Sequence, residues 1–242
     1  MNKFIILVYG LIAYLVFLIS FLYAIAFIGD YLVPKTINSE TESTGLTAVI
    51  INLVLLSIFA IQHSVMARPA FKARWIKIIG EPAERSTYIL LTSLALLLIF
   101  WKWQPINTLV WEVENSTIAI LIIGISAIGW GIVLLSTFMI SHFELFGLTQ
   151  IFDNFKNRTS QSPKFQTNFL YKIVRHPIML GFIIAFWVTP VMTVGHLLFA
   201  SITTVYILIA VKYLEEKDLR KTLGEKYEDY QLKVPMIIPF SK

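Results

Sequence analysis

Residues 177–216 read PIMLGFIIAFWVTPVMTVGHLLFASITTVYILIAVKYLEE, a stretch apolar almost throughout that closes on Lys212, Glu215 and Glu216. A helix needs about 20 residues to cross the hydrocarbon core of a bilayer. The stretch is too long for one crossing, and Pro190 and Gly195 interrupt its middle. Proline removes a backbone donor and clashes with the preceding turn, so the chain is expected to reverse there. A helical hairpin with a short first arm results.

The rest of the chain has the same character. Of 242 residues, 57% are hydrophobic and 14% charged. The mean hydropathy of +0.72 excludes a soluble domain of this length. Candidate spans fall at about 4–28, 46–65, 86–101, 116–140, 178–190 and 194–211, the third and fifth short for a crossing. Segment 4–28 is too long for a signal-peptide core and has no small-residue cleavage site, so it reads as a retained first helix. Cysteine is absent, which excludes disulfides, thiolate metal sites and a cysteine nucleophile.

Charge placement supports the hairpin. With the N-terminus in the cytoplasm and six segments, the cytoplasmic pieces hold Lys3, five basic residues in 66–85, five in 141–175 and seven from Lys212 onward, 18 of the 20 Lys and Arg. Only Lys35 and Lys102 fall outside, among Asp30, Glu40, Glu42, Glu112 and Glu114. A single crossing at 178–211 would carry the basic tail to the far side, against the positive-inside rule. A net charge of +5 distributed this way points to a membrane and not to nucleic acid. The expected fold is all-α: a polytopic transmembrane helix bundle of five to six membrane segments, with a C-terminal helical hairpin and a short cytoplasmic C-terminal helix. One integral-membrane domain covers 1–242, with four spans in 1–140 and the candidate chemistry in 141–242. The N- and C-termini are both expected in the cytoplasm.

Polar residues gather where the hairpin begins and ends. Arg175 and His176 precede Pro177, which suits a first helical turn. The N–H groups and dipole of such a helix start attract an anion, and Arg175 adds a fixed cation. Against this stands an arginine that merely snorkels to the headgroup region. Glu215 and Glu216 leave the hairpin on the same face as Arg175–His176, so residues about forty apart can meet. Adjacent residues on a helix point about 100° apart, so at most one of the two carboxylates faces the bundle squarely. The bland alternative is a solvated helix end.

SHFELFGLTQ (141–150) adds His142 and Glu144 on the same side, with His142 a candidate base or an interfacial residue. The longest polar connection, 141–175, has a disordered-looking centre, DNFKNRTSQSP. Leu219, Leu223, Tyr227 and Tyr230 have helical spacing before Pro235 and Pro239, as in a short helix folded back on the hairpin mouth. His63 and His196 complete the histidines, and no HxxxH or HExxH spacing occurs, so no metal is expected. There is no Walker A loop and no GxSxG elbow.

The order of motifs is more specific than any one of them. RHPIMLG (175–181), the hairpin, LEEKDL (214–219), GEKYEDY (224–230) and VPMIIP (234–239) together resemble the membrane S-adenosylmethionine-dependent methyltransferases. That group includes the isoprenylcysteine carboxyl methyltransferases and the nurim-like proteins. HFELFGLTQ (142–150) and TPVMTVGHLLFA (189–200) are most similar to the methanethiol-methylating members of the nurim family.

The resemblance implies S-adenosylmethionine as methyl donor, held in a cytoplasmic pocket by Tyr171, Arg175, His176, Pro177, Met179, Gly181, Tyr213, Glu215, Glu216 and Tyr227. It implies catalytic roles for Arg175, His142 and Glu216. It also implies a small thiol, methanethiol, as substrate partner and dimethyl sulfide as product, within the lipid bilayer. Isoprenylcysteine enzymes carry an aromatic two residues after the proline, where this chain has Met179, which weakens the case for a prenylated substrate. A larger lipophilic substrate and a non-enzymatic nurim-like protein are the alternatives.

Overall fold

The computed structural model describes residues 2–40, 45–159 and 165–241. Glu42 of the expected outer loop and residues 160–163 of the disordered-looking centre lie outside them. The elements run α1 (Lys3–Gly29), α2 (Leu46–Met66), α3 (Pro69–Ile79), α4 (Glu81–Lys102), β1 (Leu109–Glu112), α5 (Ser116–Ile140), α6 (His142–Leu145), α7 (Leu148–Phe155), α8 (Leu170–Ile173), α9 (Pro177–Trp187), β2 (Val191–Thr193), α10 (Val194–Ile209), a π-helical turn (Ala210–Glu215), α11 (Glu216–Leu223) and α12 (Glu225–Lys233). Among the described residues, five helices are long and apolar enough to cross a membrane: α1, α2, α4, α5 and the continuous Val194–Leu223. The chain is a multi-pass membrane protein. Its contacts divide it into two compact units, Met1–Ile106 with Ser141–Lys164, and Asn107–Ile140 with Phe165–Lys242.

In the first unit, local chemistry sets the helix ends. Asn2 caps α1 by accepting from the Phe4 N–H at 2.9 Å. Pro69 opens α3 and Pro82 lies in the first turn of α4, where a missing N–H costs nothing. The third span therefore begins at Glu81, five residues before the expected 86. Its first-turn acids Glu81 and Glu84 suit a helix N-terminus, and 22 residues make a full crossing. Helices α1 and α4 run in the same direction: Tyr9 donates to Thr87 Oγ1 at 2.9 Å near their starts, and Tyr23 stacks on Phe100 at 5.3 Å near their ends. Met66, Tyr88 and Ile89 form one core, with Phe17 and Phe146 packed on it. Residues 153–155 of the polar centre are helical, in α7.

In the second unit, α5 packs along α9. A Cβ on Gly181 would lie 2.6 Å from the Gly129 carbonyl oxygen, so only glycine lets these backbones approach so closely. Helix α9 has 11 residues, too few to cross a bilayer, and the chain turns after it as the proline requires. The turn is built as a two-stranded antiparallel sheet, which the sequence reading did not contain. Leu109 pairs with Thr193, Trp111 with Met192 and Glu112 with Val191, with an irregularity between Leu109 and Trp111. Thr193 caps α10 by accepting from the His196 N–H at 3.2 Å. His196 Nε2 in turn donates to the Phe186 carbonyl at 2.9 Å, fastening the second arm to the end of the first.

Candidate functional site

Arg175 and His176 sit just before α9, with Pro177 as its first residue. Their backbone is held from the far end of the chain: Arg175 N–H donates to the Pro235 carbonyl at 2.9 Å and His176 N–H to Met236 at 3.0 Å. Val234, with φ −120° and ψ 129°, leads from α12 into this return segment. Met236 and Ile237 pack with Ile207 and Val211 over α9.

The side chains converge on Glu216, the first residue of α11. Arg175 Nε donates to Glu216 Oε1 at 2.7 Å, and Arg175 Nη2 lies 2.6 Å from the same oxygen. His176 Nε2 lies 3.3 Å from that oxygen, and the Tyr227 hydroxyl donates to the same oxygen at 3.4 Å. Gln231 Nε2 donates to Oε2 at 3.1 Å. Arg175 Nη1 is taken up by the carbonyls of Gln231, at 3.3 Å, and Val234. The side chains of Arg175 and Glu216 are only 9% and 7% exposed. A buried ion pair is favourable only when its remaining donors and acceptors are satisfied, and here they are.

His176 faces both glutamates. Its Nδ1 lies 3.5 Å from Glu215 Oε1, while Nε2 faces Glu216. Two ring nitrogens directed at two carboxylates both carry hydrogen, which makes the ring a cation. Burial alone would depress its pKa, but hydrogen bonding to Glu215 and Glu216 and their charge override this and push it up to about 9. Arg175 and His176 thus balance Glu215 and Glu216. Burial, with the negative charges nearby, raises the phenols of Tyr171 and Tyr227, so both stay neutral hydrogen-bonding groups. Tyr230, pushed up to about 12 by burial, donates to the Tyr171 carbonyl at 2.5 Å.

The structure thus brings together Tyr171, Arg175, His176, Pro177, Glu215, Glu216 and Tyr227. Of the two adjacent carboxylates, Glu216 is buried, and Glu215 has a side chain 46% exposed. Other members of the expected set lie elsewhere. Tyr213 is 58% exposed, with Lys212 Nζ 5.5 Å from its ring. Met179 packs in the apolar cluster around Ile207, and Gly181 serves the contact with α5. His142 belongs to the first unit, buried, with Nε2 2.9 Å from the Tyr14 hydroxyl and its ring against Phe146. Burial lowers its pKa, so it is neutral at pH 7. Gln231, Tyr230 and the carbonyls of Val234, Pro235 and Met236 were not anticipated. The signal for them was VPMIIP itself, an extended proline-bounded segment following a Tyr227–Tyr230 pair.

A family model described as "NnrU protein" matches residues 51–229. "Methanethiol S-methyltransferase 1" of Bradyrhizobium diazoefficiens is 51% identical over 99% of this chain and 84% of its own length. "Methanethiol S-methyltransferase" of Crocosphaera subtropica is 50% identical over 97% of this chain and 92% of its own. More distantly, "Nurim" of Rattus norvegicus is 28% identical over 75% of this chain and 71% of its own. No solved structure matches. The chain belongs to the NnrU protein family, together with the methanethiol S-methyltransferases.

Proposed function

We propose that this protein methylates methanethiol to dimethyl sulfide, with S-adenosylmethionine as methyl donor, at the Arg175–His176–Glu216 cluster. The observation that carries the reading is half-identity over nearly the whole chain to proteins bearing that name. The cluster supports it on chemical grounds. The amino-acid head of S-adenosylmethionine is a carboxylate and an ammonium, and the site offers two cations matched by two carboxylates beside a helix start.

In this reading Arg175 and the first turn of α9 hold the carboxylate, and the half-exposed Glu215 holds the ammonium. Glu216 is the positioning group, fixing the guanidinium and the imidazolium at once. Tyr171 and Tyr227 are the neutral aromatic neighbours for the rest of the donor. S-adenosylmethionine, when bound, supplies a methyl group activated by its sulfonium. The chain's own contribution is alignment, exclusion of water and a positive local field that favours the thiolate over the thiol. His142, neutral and paired with Tyr14, is carried as a candidate base. The same proposal assigns both termini and the cluster to the cytoplasmic side, on the distribution of Lys and Arg.

Membranes from cells expressing the chain, supplied with S-adenosylmethionine and methanethiol, are expected to release dimethyl sulfide into the headspace, read by gas chromatography. Arg175→Ala membranes release none. Donor binding without dimethyl sulfide would discard the thiol and favour a larger lipophilic substrate. Absence of both would leave a non-enzymatic membrane protein.

A further inference from the structure

The end of the first unit where α1 and α4 finish carries features that methyl transfer does not use. An apolar groove of about 590 Å³ opens there, walled by Tyr23 of α1 and by Leu94, Leu97, Leu98 and Phe100 of α4. That volume falls among ligand pockets, which span about 300–1,000 Å³. Pro34, Lys35 and Trp101 complete its lining. Lys35 Nζ donates to the Trp101 carbonyl at 2.8 Å, and Lys102 Nζ lies 3.7 Å over the Trp101 ring. The indole is 66% exposed.

These two lysines are the pair that the charge count separates from the other 18 basic residues. Gathering them at one tryptophan, Lys35 on its carbonyl and Lys102 over its ring, is electrostatically unfavourable. Burial and the Lys102 charge hold the Lys35 ammonium below its usual pKa. Among the described residues, no carboxylate forms an ion pair with either. Asp30 is occupied by its own loop, accepting from Thr36 and from Asn38 at 3.2 Å. Two cations, a tryptophan of the kind found at membrane interfaces and an apolar groove running along membrane helices match one ligand chemistry: an anion joined to a hydrocarbon chain.

We infer that this groove is a binding site for one anionic phospholipid. The phosphate bridges the Lys35 and Lys102 ammonium groups beside Trp101, and an acyl chain lies along Leu94, Leu97 and Leu98. A phosphodiester presents two anionic oxygens, one for each ammonium, in charge-assisted hydrogen bonds. The ligand neutralises the lysine pair and fills the groove at once.

The test is native mass spectrometry of the full chain in detergent, with phosphatidylglycerol or phosphatidylcholine of the same acyl chains added. One phosphatidylglycerol is expected to be retained, at least tenfold over phosphatidylcholine. Lys35→Gln/Lys102→Gln is expected to cut retention at least tenfold, and Leu97→Trp, which fills the groove without altering charge, to cut it similarly. If the double variant does not fold, Lys102→Glu decides, since it leaves the Lys35–Trp101 hydrogen bond intact. Equal retention of the two lipids overturns headgroup recognition. Undiminished phosphatidylglycerol in the variants overturns the location. Displacement by an equimolar fatty acid of the same chain length overturns the phosphate.

Discussion

Both units bury histidines, and His142 and His176 end in different charge states. His142, in the first unit, is 6% exposed among aromatic rings, with the Tyr14 hydroxyl on Nε2. His176, in the second, is also 6% exposed, with a carboxylate opposite each ring nitrogen. Burial lowers the pKa of the first; partners raise that of the second to about 9. Equal exposure therefore does not decide the charge. The chemistry opposite the ring decides it, and that chemistry marks the second unit as the one built around fixed charges.

The harshest way to break this contrast is to empty the cationic side. Arg175→Ala leaves Glu216 buried without its guanidinium and frees the Gln231 and Val234 carbonyls. A loss of about 3–5 kcal/mol is expected, read by thermal unfolding in detergent. Dimethyl sulfide production is expected to fall about a hundredfold or more. Arg175→Lys keeps the charge, loses the two-pronged contact with Glu216 and should fall between.

Next in size is the pH response of His176. Its folded pKa lies above the unfolded value of about 6.5, so its contribution is complete below that pH and lost as pH rises toward 9. The loss is on the order of 3 kcal/mol. Wild-type melting temperature is expected to decline over this window, and His176→Phe to remove the decline. A wild-type curve flat from pH 6.5 to 9 would show that the ring is not charged in the folded protein.

The mirror experiment uses His142. Its folded pKa is depressed, so its contribution is present above about pH 6.5 and lost as pH falls. His142→Phe should flatten the acid side of the stability curve. If His142 also serves as base, turnover falls well beyond what that stability change explains.

Smallest in stability is Glu215→Gln. The carboxylate is half exposed and faces His176 at 3.5 Å, so less than about 1 kcal/mol is expected. Binding of S-adenosylmethionine, followed by equilibrium dialysis, should nevertheless weaken. Unchanged affinity would move the ammonium contact away from Glu215.

The hairpin was legible because Pro190 and the basic tail constrain it from two independent directions, backbone sterics and membrane charge. That topology allowed Arg175 to meet one of Glu215 and Glu216, and the structure selects Glu216. The faces of the last span were not legible, because Ala210–Glu215 forms a π-helical turn. A π turn adds about one residue and shifts the phase of everything after it by about 100°. Tyr213, which the family resemblance places beside the cofactor, lies within that turn and is 58% exposed. The start of α4 was hidden for another reason: Glu81, Glu84 and Arg85 lower local hydropathy although first-turn acids favour a helix. Strand β1 exposes all four residues and has no alternation to detect.

The return segment that holds Arg175 and His176 has a consequence for biosynthesis. Translation reaches residues 234–236 only after α1, α2, α4, α5 and Val194–Leu223 have been made. A chain stopped before Val234 holds these five helices, yet the Arg175 guanidinium lacks the Val234 carbonyl and the Arg175 and His176 N–H groups lack those of Pro235 and Met236. The charged cluster thus closes only after those helices exist, and a product truncated before Val234 is inserted but unfinished.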